Sequence, residues 1–118
     1  MAFKTVVANT SKQTFVTISV TGARKCELYV AGAAYRAIVE PRAVAFEWDD
    51  DEALLRISAA SPESREASRL TTGTKKRCSV THLLSNLGVS IPHTVRIPVT
   101  PDGPLAIIAD LSEYRSRT

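Results

Sequence analysis

Basic side chains cluster at two places in the chain and are its clearest candidates for binding chemistry. Six arginines and lysines belong to these clusters: Arg24, Lys25, Arg69, Lys75, Lys76 and Arg77. A lysine or arginine placed near a phosphate releases a condensed counterion and adds affinity that does not depend on base sequence. The clusters therefore predict contacts to nucleic-acid phosphates. The alternative interpretation is a pair of solvated turns, because most short charge runs are solvated.

An acidic run provides a second candidate surface. It places five carboxylates within six residues: Glu47, Trp48, Asp49, Asp50, Asp51 and Glu52. The run lacks the glycine and the spaced ligands of a calcium loop. Its two interpretations are a solvated hairpin tip and a negative patch. In the second, a protein-binding module or phage-type inhibitor docks on a basic partner through this patch and exposed strand edges. Trp48 alternates with Phe46 and Val44, which favours a core or interface role for its ring over base stacking.

Cysteine and histidine spacing offers little for metal chemistry. Cys78 and His82 are four residues apart, so a helix would bring them to one face, with His93 further along. A tetrahedral zinc site needs a fourth ligand. Cys26 is the only other thiol, and the sequence contains no CxxC pair. The spacing therefore favours two core-facing cysteines over a metal site. The two cysteines could form one disulfide, but the lack of a secretory signal favours free thiols.

Catalytic patterns are equally sparse. Ser79, Ser85 and the two histidines form no Ser/His/Asp or Cys/His order that the sequence alone identifies. No glycine-rich phosphate loop is present. We therefore expect a protein that is not an enzyme and that uses no cofactor.

Length and composition indicate one domain. The chain has 118 residues, of which 44% are apolar and 23% are charged, enough for one compact core. No apolar run reaches the ~20 residues that span a bilayer, and residues 1–15 have no apolar signal core. These features predict a cytoplasmic protein without membrane contact, in which reduced thiols persist. The sequence leaves open whether the protein forms a homo-oligomer.

The net charge of +3 is unevenly distributed. Residues 1–60 carry seven basic and seven acidic side chains, whereas residues 61–118 carry eight basic and five acidic ones. Such a mild excess is compatible with binding to nucleic acid but does not require it.

The elements that must position these residues follow from apolar periodicity. Alternation from Phe15 to Thr21 predicts a strand, and spacings of three and four within residues 27–38 predict a short helix. Alternation on both sides of residues 49–52 predicts a hairpin. In the second half, residues 81–87 predict a helix, with Ser79 as N-cap and Gly88 at its end, and residues 95–108 a second hairpin. Residues 112–118 are expected to form a flexible tail.

The two halves, about residues 14–60 and 65–111, repeat this order with an offset of 51 or 52 residues. Thr21–Cys26 and Thr72–Cys78 share a Thr-Gly pair, basic residues and a cysteine. Matching positions follow: Pro41 with Pro92, Val44 with Val95, Phe46 with Ile97, Trp48 with Val99, Asp51 with Asp102, and Ile57 with Ile108. A copy of about 45 residues is too small for a sufficient core of its own, so the repeat predicts an intrachain pseudo-dimer. The expected fold class is α+β, mostly β.

Residues 83–95 (LLSNLGVSIPHTV), within the order strand, basic turn, short helix, proline and hairpin, resemble the swapped-hairpin domain of AbrB and MraZ-type transcription regulators. The chain lacks the family's proline just ahead of each helix and its Gly-Asp in the turn after Pro92. The resemblance implies a swapped-hairpin, barrel-like fold and binding to double-stranded DNA. It assigns the DNA contacts to Arg24, Lys25, Lys75, Lys76 and Arg77.

Overall fold

A computed structural model describes residues 14–22, 25–30, 32–65, 67–71 and 76–115. This part of the chain forms eight strands, two short helices and a final 3-10 turn at Ser112–Tyr114. The elements of the first half are β1 (Thr14–Thr21), β2 (Lys25–Val30), α1 (Gly32–Ala37), β3 (Ala43–Asp49) and β4 (Leu54–Ala60). Those of the second half are β5 (Ser68–Arg69), β6 (Lys76–Ser79), α2 (Thr81–Leu87), β7 (Val95–Pro101) and β8 (Ala106–Asp110).

All eight strands belong to one antiparallel sheet in the order β5-β3-β4-β8-β7-β1-β2-β6. Its two edge strands, β5 and β6, are consecutive in the chain and lie next to each other. There the Thr71 N–H donates to the Arg77 carbonyl oxygen at 3.0 Å, and the Arg77 N–H donates to the Thr71 hydroxyl at 3.3 Å. The sheet therefore curves into a nearly closed, barrel-like form.

The core is the inner face of this sheet. Successive residues of a strand point to opposite faces, so every second side chain faces inward. Val16 and Ile18 of β1, for example, are both 1% exposed. Ile57 of β4 lies directly opposite Ile107 of β8, and both are fully buried. The mostly β fold class is confirmed.

The helix predicted over residues 27–38 is wrong in its first part. Lys25–Val30 is strand β2, and only Gly32–Ala37 is helical. β2 is paired on both sides, with β1 and β6, and buries Leu28 and Val30. These long-range pairs outweigh the helical spacing of Leu28 and Tyr35, which a short apolar segment produces easily.

The other predicted elements are confirmed. β1, both hairpins and α2 lie where the apolar pattern put them. Gly88 ends α2 in the left-handed conformation, with φ of 71°, and its N–H reaches the Ser85 carbonyl oxygen at 3.2 Å. Ser79 does not cap α2, because it is still part of β6 and Val80 occupies the cap position without a side-chain hydrogen bond.

The C-terminal segment differs from the expected flexible tail. Ser112–Tyr114 forms a 3-10 turn, the Tyr114 carbonyl oxygen accepts from Ser90 N–H at 2.9 Å, and Arg115 bridges to Val89. Tyr114 packs against the core, which supplies the apolar anchor that the polar sequence did not suggest. Residues 116–118 lie outside the described residues.

None of the helices in the described ranges is long and apolar enough to cross a membrane.

Candidate functional site

Two of the predicted basic residues lie on one outer surface of the sheet. β2 and β6 pair in antiparallel register, with Tyr29 opposite Arg77 and Glu27 opposite Ser79. Lys25 and Arg77 fall on the face opposite to that of the buried Leu28, and both are exposed. Lys25 lies four positions before Tyr29, the residue opposite Arg77. The Cα atoms of Lys25 and Arg77 are therefore about 14 Å apart.

The second basic cluster is not one patch. Lys76 lies opposite the buried Val30, so it points to the inner side at the mouth of the sheet, while Arg77 points outward. The Lys76 ammonium lies 5.9 Å from the centre of the Tyr35 ring on α1. The expected three-residue basic turn is therefore replaced, over its last two residues, by a strand that sends neighbouring charges to opposite faces.

Lys76 and Arg69 both line a cleft of about 720 Å³. Its charged lining comprises Glu40, Arg42, Glu63, Arg69 and Lys76. The Arg69 side chain donates to the Pro62 carbonyl oxygen at 3.4 Å. The cleft thus combines cations with carboxylates, so its field is weaker than three basic residues alone would produce.

Arg77 is held in place by its neighbours on the outer face. Its guanidinium lies 3.6 Å from the Glu27 carboxylate and donates to the Tyr29 hydroxyl at 3.4 Å. The hydrogen bond to Tyr29, followed by the charge of Glu27, raises the pKa of Arg77 above its ordinary value. Arg77 is therefore a fixed cation, partly neutralised by one carboxylate. Arg24 and Lys75, the remaining predicted contacts, lie outside the described residues.

Two further arginines adjoin these residues and were not identified from the sequence. Arg42 lines the cleft with Arg69 and Lys76. Arg96 lies on the outer face of β7, opposite Thr17 of β1. The alternation of Val95 and Ile97 already places Arg96 outward, but the identity of the neighbouring strands comes only from the pairing.

The acidic run forms the end of the β3–β4 hairpin, as predicted. Asp49 Oδ1 accepts from the backbone N–H groups of Asp51 and Glu52 at 3.0 and 3.3 Å, which closes the turn. The Trp48 ring N–H donates to Asp50 Oδ1 at 3.2 Å, while its ring is half-buried against the core. Two carboxylates of this run, those of Asp49 and Asp50, therefore accept hydrogen bonds from within the run itself.

Arginines from elsewhere in the chain pair with two of these carboxylates. Arg115 lies 3.0 Å from Asp50, and Arg56 lies 3.5 Å from Glu47 and 2.8 Å from Asp102. No such ion pair involves Asp51 or Glu52 within the described residues, and both side chains are exposed. The free negative charge of the hairpin is concentrated at its tip.

The cysteines lie on the inner side of the β2–β6 pair and are free thiols. Cys78 lies opposite Leu28, and the Cys26 carbonyl oxygen accepts from Val80 N–H at 2.9 Å, so the thiols are offset by two positions. Burial raises the pKa of both, that of Cys78 to about 11. Within the described ranges, no three His, Cys, Asp or Glu side chains are grouped to hold a metal ion.

No protein-family model, curated protein or solved structure matches this chain.

Proposed function

We propose that this chain is a small, non-catalytic, cytoplasmic DNA-binding protein of the transcription-regulator kind that contacts duplex phosphates from the β2–β6 strand pair. The observation that carries the proposal is the antiparallel pairing of β2 with β6. Each of these strands begins in one of the two basic clusters, so the clusters end up at opposite ends of one strand pair. Lys25 and Arg77 then present cations separated by about 14 Å on one surface. Arg24 and Lys75 extend the clusters in sequence, while Arg69 and Lys76 line the adjoining cleft.

The proposal includes an internal duplication that folds as a pseudo-dimer. Each half contains two strands, a helix and a hairpin in the same order. The pairs β2–β6 and β4–β8 join equivalent strands of the two halves, as a pseudo-twofold axis requires. In addition, β1 pairs with β7, and β5 pairs with β3, which is the equivalent contact.

The strand order also supports a swapped arrangement of the two hairpins. The β3–β4 hairpin of the first half lies between β5 and β8 of the second half. The β7–β8 hairpin of the second half lies between β4 and β1 of the first half. Each hairpin therefore completes the sheet of the other half, which is the arrangement that the resemblance to AbrB and MraZ-type regulators implies.

One of the residue pairs matched between the two halves, Ile57 with Ile108, does not share the same environment. Ile57 is fully buried on the inner face, whereas Ile108 is half-exposed and shares the outer face with Arg56. Ile107, which is fully buried, is a better match in environment. The repeat therefore shifts by one residue within the second hairpin.

Duplex binding is tested by removing the two outward cations. We expect the Lys25→Ala/Arg77→Ala variant to bind a labelled duplex more weakly than wild type does, in a mobility-shift or anisotropy titration. The slope of log affinity against log salt concentration should fall by about 0.9 for each phosphate that the variant no longer neutralises. The control variant, Arg36→Ala/Arg65→Ala, removes the same charge from two exposed positions outside strands β2 and β6 and should keep both affinity and slope. No binding of wild type at low salt would refute the proposal.

The exposed carboxylates of the hairpin tip favour a second candidate function, docking on a basic protein partner, as a phage-type inhibitor does. Asp51 and Glu52 are exposed and without ion-pair partners in the described part of the chain. The residues of the hairpin tip belong to neither strand of the β2–β6 pair. An Asp51→Asn/Glu52→Gln variant that no longer captures a protein partner, while keeping duplex affinity, would favour this function. Recovery of the same proteins with both forms would count against it.

A further inference from the structure

The outer face of β7, β1, β2 and β6 carries a row of side chains that runs across the four strands. Arg96 lies opposite Thr17, Thr17 opposite Tyr29, and Tyr29 opposite Arg77. Neighbouring strands are about 4.8 Å apart, so the Cα atoms at the two ends of the row are about 14 Å apart. An arginine therefore stands at each end of a row whose centre is occupied by a threonine and an aromatic ring.

A cleft of about 310 Å³ opens beside this row, between the sheet and the first turn of α1. Its lining includes Phe15, Thr17, Tyr29, Gly32, Ala33 and Arg96. Phe15 follows the alternation that points Val16 inward, so its ring lies on the outer face, where it is 36% exposed. The volume is at the lower end of the range of roughly 300 to 1,000 Å³ found for small-ligand sites.

The charge of the cleft is positive. No carboxylate is among its described lining residues, and Arg96 has no ion pair or side-chain hydrogen bond within the described ranges. The nearby carboxylate of Glu27 is already paired with Arg77 at 3.6 Å. The outer face of β3, β4 and β8 is different, because it carries Glu47, Asp49 and Asp110 around Arg56. An anionic ligand is therefore favoured on the β7-β1-β2-β6 side.

Aromatic rings beside arginines form the combination that binds unpaired nucleotides, because a base stacks on the ring while the cation meets its phosphate. We propose that this cleft binds a segment of single-stranded nucleic acid, with a base stacked on Phe15 and the backbone phosphate at Arg96. A duplex keeps its base faces stacked within the helix and leaves Phe15 without a partner. The inference does not rest on the duplex-binding proposal, since neither Phe15 nor Arg96 belongs to the residues proposed for the duplex.

The test is an anisotropy titration with a labelled oligothymidylate of about 20 nucleotides, which forms no stable secondary structure. Phe15→Leu keeps an apolar side chain but removes the ring, and we expect it to weaken binding by about 5- to 150-fold. Phe15→Trp keeps a stacking surface and should retain wild-type affinity. Weaker binding by Phe15→Leu together with wild-type binding by Phe15→Trp separates stacking from packing. Equal affinities of wild type and Phe15→Leu would overturn the proposal.

Arg96→Gln tests the phosphate contact independently of Phe15. We expect a lower affinity and a slope against log salt concentration that is smaller by about 0.7, the value for one contact to a single strand. Arg65→Gln, which removes one exposed arginine from the connection between β4 and β5, should leave both unchanged. An unchanged slope in Arg96→Gln would overturn the assignment of the phosphate to Arg96.

The same variants, titrated with a duplex, distinguish this inference from the proposed function. We expect Phe15→Leu to keep wild-type duplex affinity. Wild type that binds oligothymidylate but no duplex would refute the duplex proposal and support the single-strand site. A Phe15→Leu variant in which both affinities fall equally would contradict a site selective for unpaired bases. Circular dichroism melting of each variant shows whether the fold is kept.

Discussion

The alternation of side chains along a strand decides what each basic residue reaches. Lys76 and Arg77 are neighbours in sequence, but one approaches Tyr35 at the mouth of the sheet and the other contacts Glu27 and Tyr29 outside. A turn would have allowed both to face one phosphate backbone. At this scale the cations that share the outer face are Lys25 and Arg77, which we propose for the duplex, and Arg96, which we propose for the single strand; adjacency in the chain does not decide the face.

Because of Cys78, the free energy of unfolding should depend on pH in the alkaline range. Burial, followed by the charge of Glu27, raises its pKa from 9.0 to about 11. The unfolded chain loses this proton at lower pH than the folded chain does, so the stabilisation is complete below pH 9.0 and is lost as pH rises towards about 11. The expected loss approaches ~1.4 kcal/mol per pH unit within that window.

Urea unfolding of wild type and Cys78→Ala, at neutral pH and across that alkaline window, measures the effect. All other titratable groups, Cys26 included, are common to both proteins, so the difference between the two curves isolates the Cys78 thiol. The wild-type free energy of unfolding should fall more steeply with pH than that of the variant. Parallel curves would show that Cys78 does not titrate differently in the folded chain.

At the scale of elements, the start of α2 is tied to β2 through one hydroxyl. Thr81 Oγ1 accepts from Cys26 N–H at 3.0 Å and lies 3.3 Å from the Cys26 carbonyl oxygen, to which it can donate. These contacts join residues 55 positions apart in sequence. They compensate for the missing side-chain cap of α2 by fixing its first residue to a paired strand.

Replacing Thr81 by valine keeps the shape of the side chain and removes the hydroxyl. We expect the free energy of unfolding to fall by about 1 to 3 kcal/mol, because the partly buried Cys26 N–H then has no acceptor. Thr81→Ser, which keeps the hydroxyl, should be destabilised less. Thermal or urea unfolding of the two variants compares them, and equal destabilisation would show that the methyl group, not the hydrogen bond, matters.

At the scale of the whole molecule, the C-terminal segment joins parts of the fold that are far apart in sequence. The C-terminal segment lies against the segment after α2, where Tyr114 accepts from Ser90, and against the acidic hairpin, where Arg115 pairs with Asp50 at 3.0 Å. Asp110 joins this arrangement, because hydrogen bonds from Ser112 lower the pKa of its carboxyl. The chain end therefore links both halves of the fold.

Truncation tests that link. A chain that ends after Leu111 should be less stable by about 2 kcal/mol, because backbone hydrogen bonds and the packing of Tyr114 are removed. The exposed Asp50–Arg115 pair should contribute little of this difference. A chain that ends after Arg115 is the control and should unfold at the wild-type temperature. Equal melting temperatures for the two truncated chains would indicate that the whole tail is dispensable.

The sequence was sufficient for the local part of the fold. Period-two alternation located β1 and both hairpins, and the left-handed requirement at Gly88 located the end of α2. These features depend on neighbouring residues and on backbone sterics, which is why they can be read along the chain. The acidic hairpin tip was predicted for the same reason.

The tertiary structure alone decided which surfaces exist. Strand β2 looked helical because its burial comes from β1 and β6, which the sequence does not place beside it. The row from Arg96 to Arg77 joins four strands drawn from both halves. Local propensity governs single elements, whereas the alignment of Phe15, Tyr29 and Arg96 around one cleft arises from long-range strand register. The proposed binding surfaces therefore depend on strand pairing, and the residue types only make them possible.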